Sequence, residues 1–397
     1  MALDSMTFTP PLRRRAARTD LDFELLNAAV AQFEQGNHHA AINGTLEHLF
    51  GKGDLDPSGA PLSFVQGSSR ITLRLVDGEL RASVPLIAFA EGAKTNAALR
   101  FLLTRISGSG QLYQPRLRGD EVYLEWSEKV SRVHPLKLIE ILKRMPLEAD
   151  ENDDWMVDEF NVSPLAREPI ASLSAEELGR AEAVWLRHWS DVEELMKEVQ
   201  RKRSIFFLNE VSSYATHHLR AMLPIAGSLT ARLNESDAVF NDTDADPSKR
   251  ESTLMKLARE MKQLPVATLH KNLGHVEYAI SPQAEGSPRV LSNILDNEDY
   301  FDTVQRLLSG GKTMEAAVAM FSTFSYLLSR CSWSEEVHAE LVAGLSQASG
   351  KGWREAANGL IAQSRAIVER FCKDEPGASD GAGEGEGAGD DGEEAAS

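Results

Sequence analysis

Residues 70–84 read Arg70-Ile71-Thr72-Leu73-Arg74-Leu75-Val76-Asp77-Gly78-Glu79-Leu80-Arg81-Ala82-Ser83-Val84. Ile71, Leu73 and Leu75 alternate with Thr72, Arg74 and Val76. After Asp77-Gly78, Leu80, Ala82 and Val84 alternate with Glu79, Arg81 and Ser83. Successive side chains of a strand point to opposite faces, so each run has an apolar and a polar face. An Asp-Gly pair supplies the positive φ that a type I′ turn needs at both centres. The stretch predicts an antiparallel hairpin, with Pro85 ending regular pairing or marking an edge.

Working outward, Leu21, Leu25, Ala29 and Phe33, then Leu46 and Phe50, recur with helical spacing, and Gly36-Asn37 divides them into two helices. Residues 51–61 read as a loop. Ala98, Leu99, Leu102, Leu103 and Ile106 predict a helix over 95–106, ended by Gly108 and Gly110. A second hairpin runs through Leu112, Gln114 and Arg116 to Gly119-Asp120, and back through Val122, Leu124 and Trp126. His134-Pro135 opens a helix with the stripe Leu138, Ile141, Leu142 and Met145, and Pro146 is expected to stop it. The order over 21–147 is helix, hairpin, helix, hairpin, helix. That is an α+β domain whose helices lie on one face of an antiparallel sheet.

This stretch resembles the type III secretion chaperone-like fold, in particular the YbjN-type bacterial proteins that share it. The likeness is carried by the paired strands Arg70–Leu86, the helix Asn96–Thr104, the strands Gln111–Trp126 and the helix Pro135–Met145. The resemblance implies a protein-binding module, often a homodimer, with no catalytic residues. The long C-terminal region departs from a compact secretion chaperone.

The 397 residues hold 42 basic and 60 acidic side chains, a net charge of −18. Residues 373–397 contain one base and nine acids, a net of −8, and no large apolar side chain, so a disordered acidic tail is expected. A second acidic run, Glu148 to Phe160, followed by Pro164 and Pro169, reads as part of a linker over 148–172. Arg13, Arg14, Arg15 and Arg18 fall in a flexible arm over 1–20. No apolar h-region follows them, so no secretory signal is expected. These arginines and Arg201-Lys202-Arg203 are too short for a phosphate-binding stripe, and no nucleic-acid partner is expected. No run approaches the ~18 apolar residues of a membrane helix, so no membrane partner is expected either. Cys331 and Cys372 read as buried thiols in a reducing, cytoplasmic compartment.

Residues 173–372 read as mainly helical. Ser174-Ala175-Glu176-Glu177 is a capping box with Leu173 and Leu178 placed as a hydrophobic staple, opening a helix to about Lys202. Another helix is expected over 205–222, then a polar stretch over 234–246. Asp246-Pro247 caps the next helix, and three or four more follow from Tyr300. Val276–Ile280 and Val290–Leu295 are short apolar runs that strands could use.

Motifs of chemistry are weak. Gly310-Gly311-Lys312-Thr313 resembles the end of a P-loop, but Arg306 stands where the first Gly belongs, so Gly310 reads as a helix C-cap and Thr313 as an N-cap. Asp242, Asp244 and Asp246 resemble a calcium loop, but Pro247 and Thr253 occupy its diagnostic positions. His188 reads as a hydrogen-bonded core residue. A composite site around His217, His218, His270 and His275 is the enzymatic alternative, and a structural assembly subunit is the other. The favoured reading is a non-enzymatic chaperone-like or adaptor module. It needs no cofactor or metal and binds protein, as an extended segment or a second copy, through the sheet edge and face and through helical surfaces. Its partner-binding residues are expected to be Ile71, Leu73, Leu75, Leu80, Val84, Leu124 and Trp126.

Overall fold

The structure is a computed structural model, and it describes residues 3–12, 23–51, 56–106, 112–242 and 244–372. The basic cluster Arg13–Arg18 and the acidic tail 373–397 lie outside the described residues, as do Gly108 and Gly110.

The N-terminal part begins with α1 (Phe23–Glu34) and α2 (His38–Phe50), separated at Gly36. A three-stranded meander follows: β1 (Leu62–Gly67), β2 (Ser69–Val76) and β3 (Glu79–Ala88). Next come α3 (Thr95–Arg105), the hairpin β4 (Gln114–Arg118) and β5 (Glu121–Lys129), and α4 (Pro135–Phe160). Asp77 and Gly78 have φ of 53° and 74°, and Val76 pairs with Glu79 across them, as a two-residue type I′ turn requires. The first hairpin is thus part of a meander, because β1 pairs with β2 ahead of it.

After α4 come β6 (Ser163–Pro164), β7 (Ala171–Ser172), α5 (Ala175–Lys202), α6 (Ile205–Met222), α7 (Gly227–Asn241), α8 (Pro247–Lys262) and α9 (Val266–Lys271). The short strands β8 (Gly274–His275), β9 (Glu277–Tyr278) and β10 (Ala284–Glu285) lead to α10 (Pro288–Leu295). The chain ends its described course in α11 (Glu298–Ser309), α12 (Thr313–Arg330), β11 (Cys331–Ser332), α13 (Glu335–Ala348) and α14 (Trp353–Phe371). Both halves of the capping box at Ser174 and Glu177 are formed, and Asp246 caps α8. In the Gly310–Thr313 turn, Gly311 takes the left-handed conformation (φ 77°) and Thr313 is already the first helical residue. Of the two ambiguous apolar runs, the first supplies β9 and the second is helical, as α10.

The main sheet has the order β4-β5-β3-β2-β1-β9, with all neighbours antiparallel and β6 beside β3. Side chains from α2, α3 and α4 meet the apolar face of β2, β3 and β5 in one core. A bulge between Pro85 and Ile87 lets Leu86 and Ile87 both be buried there. The second core lies among the helices. Its centre is α12, where Phe321, Phe324 and Leu327 are fully buried.

Three boundaries differ from those the sequence suggests. First, Pro146 does not stop α4, and the acidic run 148–160 is its C-terminal half rather than a linker. Proline removes one N–H and disfavours the preceding turn. The apolar stripe nevertheless continues through Ala149, Met156 and Phe160, all buried. The acids have structural partners as well. Asp150 accepts from the Ser68 N–H at 2.8 Å, and its carboxylate fills the space a Cβ on Gly67 (φ 71°) would need. Glu151 accepts from Asn234 Nδ2 of α7 at 2.6 Å.

Second, α7 occupies a stretch whose second half, 234–241, reads as a polar spacer. Leu229, Leu233 and Phe240 are buried, but Ser236 and Asp237 are buried beside them and interrupt the apolar stripe.

Third, residues 3–12 are not a free arm. Met6 (0% exposed) and Phe8 (6%) sit in the helical core. The strap is pinned by Gly350 N–H to the Met6 carbonyl (2.7 Å), Phe8 N–H to Ser349 Oγ (2.9 Å) and Leu12 N–H to the Met222 carbonyl (2.9 Å). An isolated apolar pair in a polar, proline-containing stretch carries no periodicity, so only the tertiary fold reveals this packing.

Met6→Ala should therefore destabilise the chain by about 2–5 kcal/mol, the usual cost of emptying a buried Met site. Urea unfolding measures it. An unchanged midpoint would mean that the strap is not part of the folded core.

Candidate docking surface

The seven residues expected to contact a partner belong to the chain's own core. Ile71, Leu73, Leu80, Val84 and Leu124 are 0% exposed, Trp126 is 5% exposed, and Leu75 is half-buried against the same cluster. They lie beneath α4 and its neighbouring helices, so their apolar area is already removed from water. What these strands leave to solvent is their other face.

That face is built from the alternate residues. Across it, Ser63, Thr72, Ser83, Glu125 and Gln114 form one cross-strand row, and Arg74, Arg81 and Ser127 form another. Among the described residues no helix packs on it, and Arg74, Arg81, Arg116 and Ser127 are exposed. Its bases are Arg70, Arg74, Arg81, Arg116, Arg118 and Lys129. Its acids are Glu79, Glu121, Glu125 and, on β9, Glu277, with Glu168 reaching Arg70 from the side. The face therefore carries about one positive charge on a chain of −18.

Several of these charges are paired: Arg70 with Glu168 at 2.6 Å, Arg81 with Glu79 at 3.0 Å, and Arg118 with Glu125 at 2.5 Å. Arg74 and Arg116 have no ion-pair partner among the described residues. Arg74 stands directly opposite Arg81, a like-charge cross-strand pair that a sheet tolerates at a cost. The only ring on the described face is Tyr123, which donates to Glu121 at 2.7 Å and lies beneath Arg118. One engaged ring is no base-stacking platform.

β4 ends the sheet, so one side of its backbone meets no further strand among the described residues. Pro115 stands in it, as befits an edge. Leu117 is on the apolar side of β4 yet 53% exposed, because the helices stop short of this edge.

The histidines of the enzymatic alternative do not form one site. His217 and His218 lie on α6, while His270 is on α9, 3.7 Å from Glu182, and His275 pairs with Ala171 in the β7–β8 ladder. The structure instead brings His188 to His218, stacked with ring centres 5.9 Å apart. His188 Nε2 meets the Ala215 carbonyl at 2.8 Å, as expected of a core histidine. His218 reaches Ser325 Oγ (2.8 Å) and the Thr7 carbonyl (2.9 Å), tying α6 to α12 and to the strap. The cavity beside them, bounded by Thr7, Thr9, Arg187 and Asp191, has a volume of about 10 Å³, room for roughly one water.

Ser329, His217 and Asp237 stand in the order of a nucleophile relay, with Ser329 Oγ 2.8 Å from His217 Nδ1. The His217–Asp237 separation of 3.5 Å is long, and Asp237 is held by Thr216 and Arg330. Burial also draws the His217 pKa down to about 4, too low for an efficient base near neutrality. The cluster acts as a polar tie between α6, α7 and α12. Among the described residues no three His, Cys, Asp or Glu side chains group as metal ligands, and no helix is long and apolar enough to cross a membrane.

No family model matches the chain, and a comparison with curated proteins gives no match.

Burial draws the pKa of His188 down to about 3 and that of His218 to about 4, against ~6.5 in an unfolded chain. Between these values the unfolded state binds more protons, so their contribution to stability is lost as pH falls below about 6.5. Half-buried Glu210 and Asp191 oppose this. Burial raises them to about 7 and about 6, so the folded state holds their protons and their contribution is lost as pH rises. In a comparison of parent and His188→Gln these carboxylates act on both proteins alike. The parent should lose about 3 kcal/mol more than the variant between pH 6.5 and 4. Denaturant melts across that range test this, and parallel curves would show that His188 is already protonated in the fold.

Proposed function

We propose that the protein is a non-catalytic binding module that captures an extended acidic polypeptide on the open face and β4 edge of its sheet. The observation that supports this is an uncovered sheet face that is net positive on a strongly negative chain and ends in a strand, β4, whose outer edge meets no further strand among the described residues. A strand added to β4 would satisfy that strand's free backbone groups. Its alternate side chains would face Arg116 and Arg118 on one side and Leu117 on the other. The ligand is therefore a segment that alternates acidic with apolar residues. The chain's overall negative charge does not forbid it, because charges beyond a Debye length of ~8–10 Å are screened. The resemblance of residues 21–147 to the chaperone-like fold agrees with this reading. The homo-oligomer that the resemblance implies would use the same β4 edge.

The test is titration of a labelled peptide alternating Glu with Val. Binding should weaken as salt rises, and Arg116→Glu/Arg118→Glu should weaken it about tenfold, near 1.4 kcal/mol. Unaltered binding in that folded double variant sinks the proposal, as does tighter binding of a single-stranded RNA oligonucleotide at the same face. The like-charge pair gives a second readout. Arg74→Thr should raise stability by about 0.2–1 kcal/mol, because it removes the like charge opposite Arg81, and should leave a peptide bound at the β4 edge in place.

A further inference from the structure

We infer that the open face has an occupant within the chain: the tail segment Asp380–Asp390, lying across the sheet as an extended pseudo-ligand that an acidic partner must displace. The inference rests on the docking reading above. The segment lies outside the described residues, so the argument uses its sequence, its charge and its reach.

Asp380, Glu384, Glu386 and Asp390 all stand at even positions, and Gly381, Gly383, Gly385, Gly387 and Gly389 fill the odd ones. In an extended chain this alternation places every carboxylate on one side and no side chain on the other. A tail that served only solubility would need the charge but not the period. Same-side residues two apart along an extended chain stand ~6.8 Å apart, so Glu384 and Glu386 match the spacing of Arg116 and Arg118 on β4, while Asp380 and Asp390 stand about twice that distance from their neighbours. The charges are complementary: the tail carries −8 and the face is net positive, with Arg74 and Arg116 unpaired among the described residues.

Reach is sufficient. Cys372, at the root of the tail, donates its Sγ–H to the Pro288 carbonyl at 3.3 Å. Pro288 follows Tyr278, on the sheet's β9 edge, by so few residues that the root stands within ~35 Å of that edge. From Cys372 to Asp390 an extended chain covers ~60 Å, enough to arrive at the face and cross it. Glycine loses the most conformational freedom on ordering, so the segment alone is a weak ligand. Tethering at roughly millimolar effective concentration offsets that weakness while leaving the segment displaceable.

The experiment titrates the Glu/Val peptide into three proteins: the full chain, the chain ending at Cys372, and a full chain carrying Asp380→Asn, Glu384→Gln, Glu386→Gln and Asp390→Asn. Both altered proteins should bind the probe about threefold or more tighter than the full chain. That is the factor expected when a tethered segment at ~1 mM has a Kd near 0.5 mM. Arg74→Glu/Arg81→Glu should abolish the difference. Equal probe affinity in all three overturns this inference and leaves the docking surface standing. No probe binding to the shortened chain overturns the docking surface itself. A tail of unchanged composition with its acids moved into adjacent pairs, if it competes as well as the natural one, overturns the extended register.

Discussion

A sheet's side chains alternate between two faces, and this chain has helices for only one of them. Leu73, Leu80, Val84 and Leu124 all point under α4, so Arg74, Arg81, Ser83 and Glu125 must point the other way. The core and the exposed charged face are therefore products of one constraint. A one-residue slip in register would bury arginines and expose leucines, so the Asp77-Gly78 turn that sets the register also sets the site.

The sheet is joined to the helical body through polar contacts within otherwise apolar surroundings. Asp150 holds the turn between β1 and β2, and Glu151 on the same helix meets Asn234 of α7. Gln66 lends its side-chain amide to the Ile280 backbone, accepting from its N–H at 3.0 Å and donating to its carbonyl at 2.5 Å, so that β9 closes on the sheet. The N-terminal strap meanwhile runs to the far body, where His218 and Ser349 hold it. Sequence order and spatial order thus interleave: residues before the sheet sit in the helical core, and residues after α9 extend the sheet. Each of these buried polar groups has a specific partner, which keeps the cost of its desolvation small.

The same separation of faces frames the functional proposal. A binding surface made of charges on a rigid sheet is positioned by the core behind it, and its affinity responds to salt and to competing polyanions. The histidines belong to a different task. Buried His188 joins α5 to α6 and buried His218 joins α6 to α12 and to the strap; their pKa values are drawn well below neutrality, and protonating them works against the fold.

Elements whose cause is local were legible in the sequence. Period-two alternation with Asp-Gly placed the β2–β3 hairpin, the capping box at Ser174 placed the start of α5, and Asp246-Pro247 placed that of α8. It also exposed Arg74 and Arg81 as the polar side of the hairpin, although the apolar side was read as the binding one. The tertiary fold settles which side is covered, because that depends on where α2, α3 and α4 pack. It also carried α4 through Pro146, since the downstream stripe of Ala149, Met156 and Phe160 finds a core that no local rule foresees. The same holds for the strap at Met6 and Phe8 and for the buried acid of α7. In each case the local signal was polar or too short to show a period, and the decisive partner lay far away in the chain.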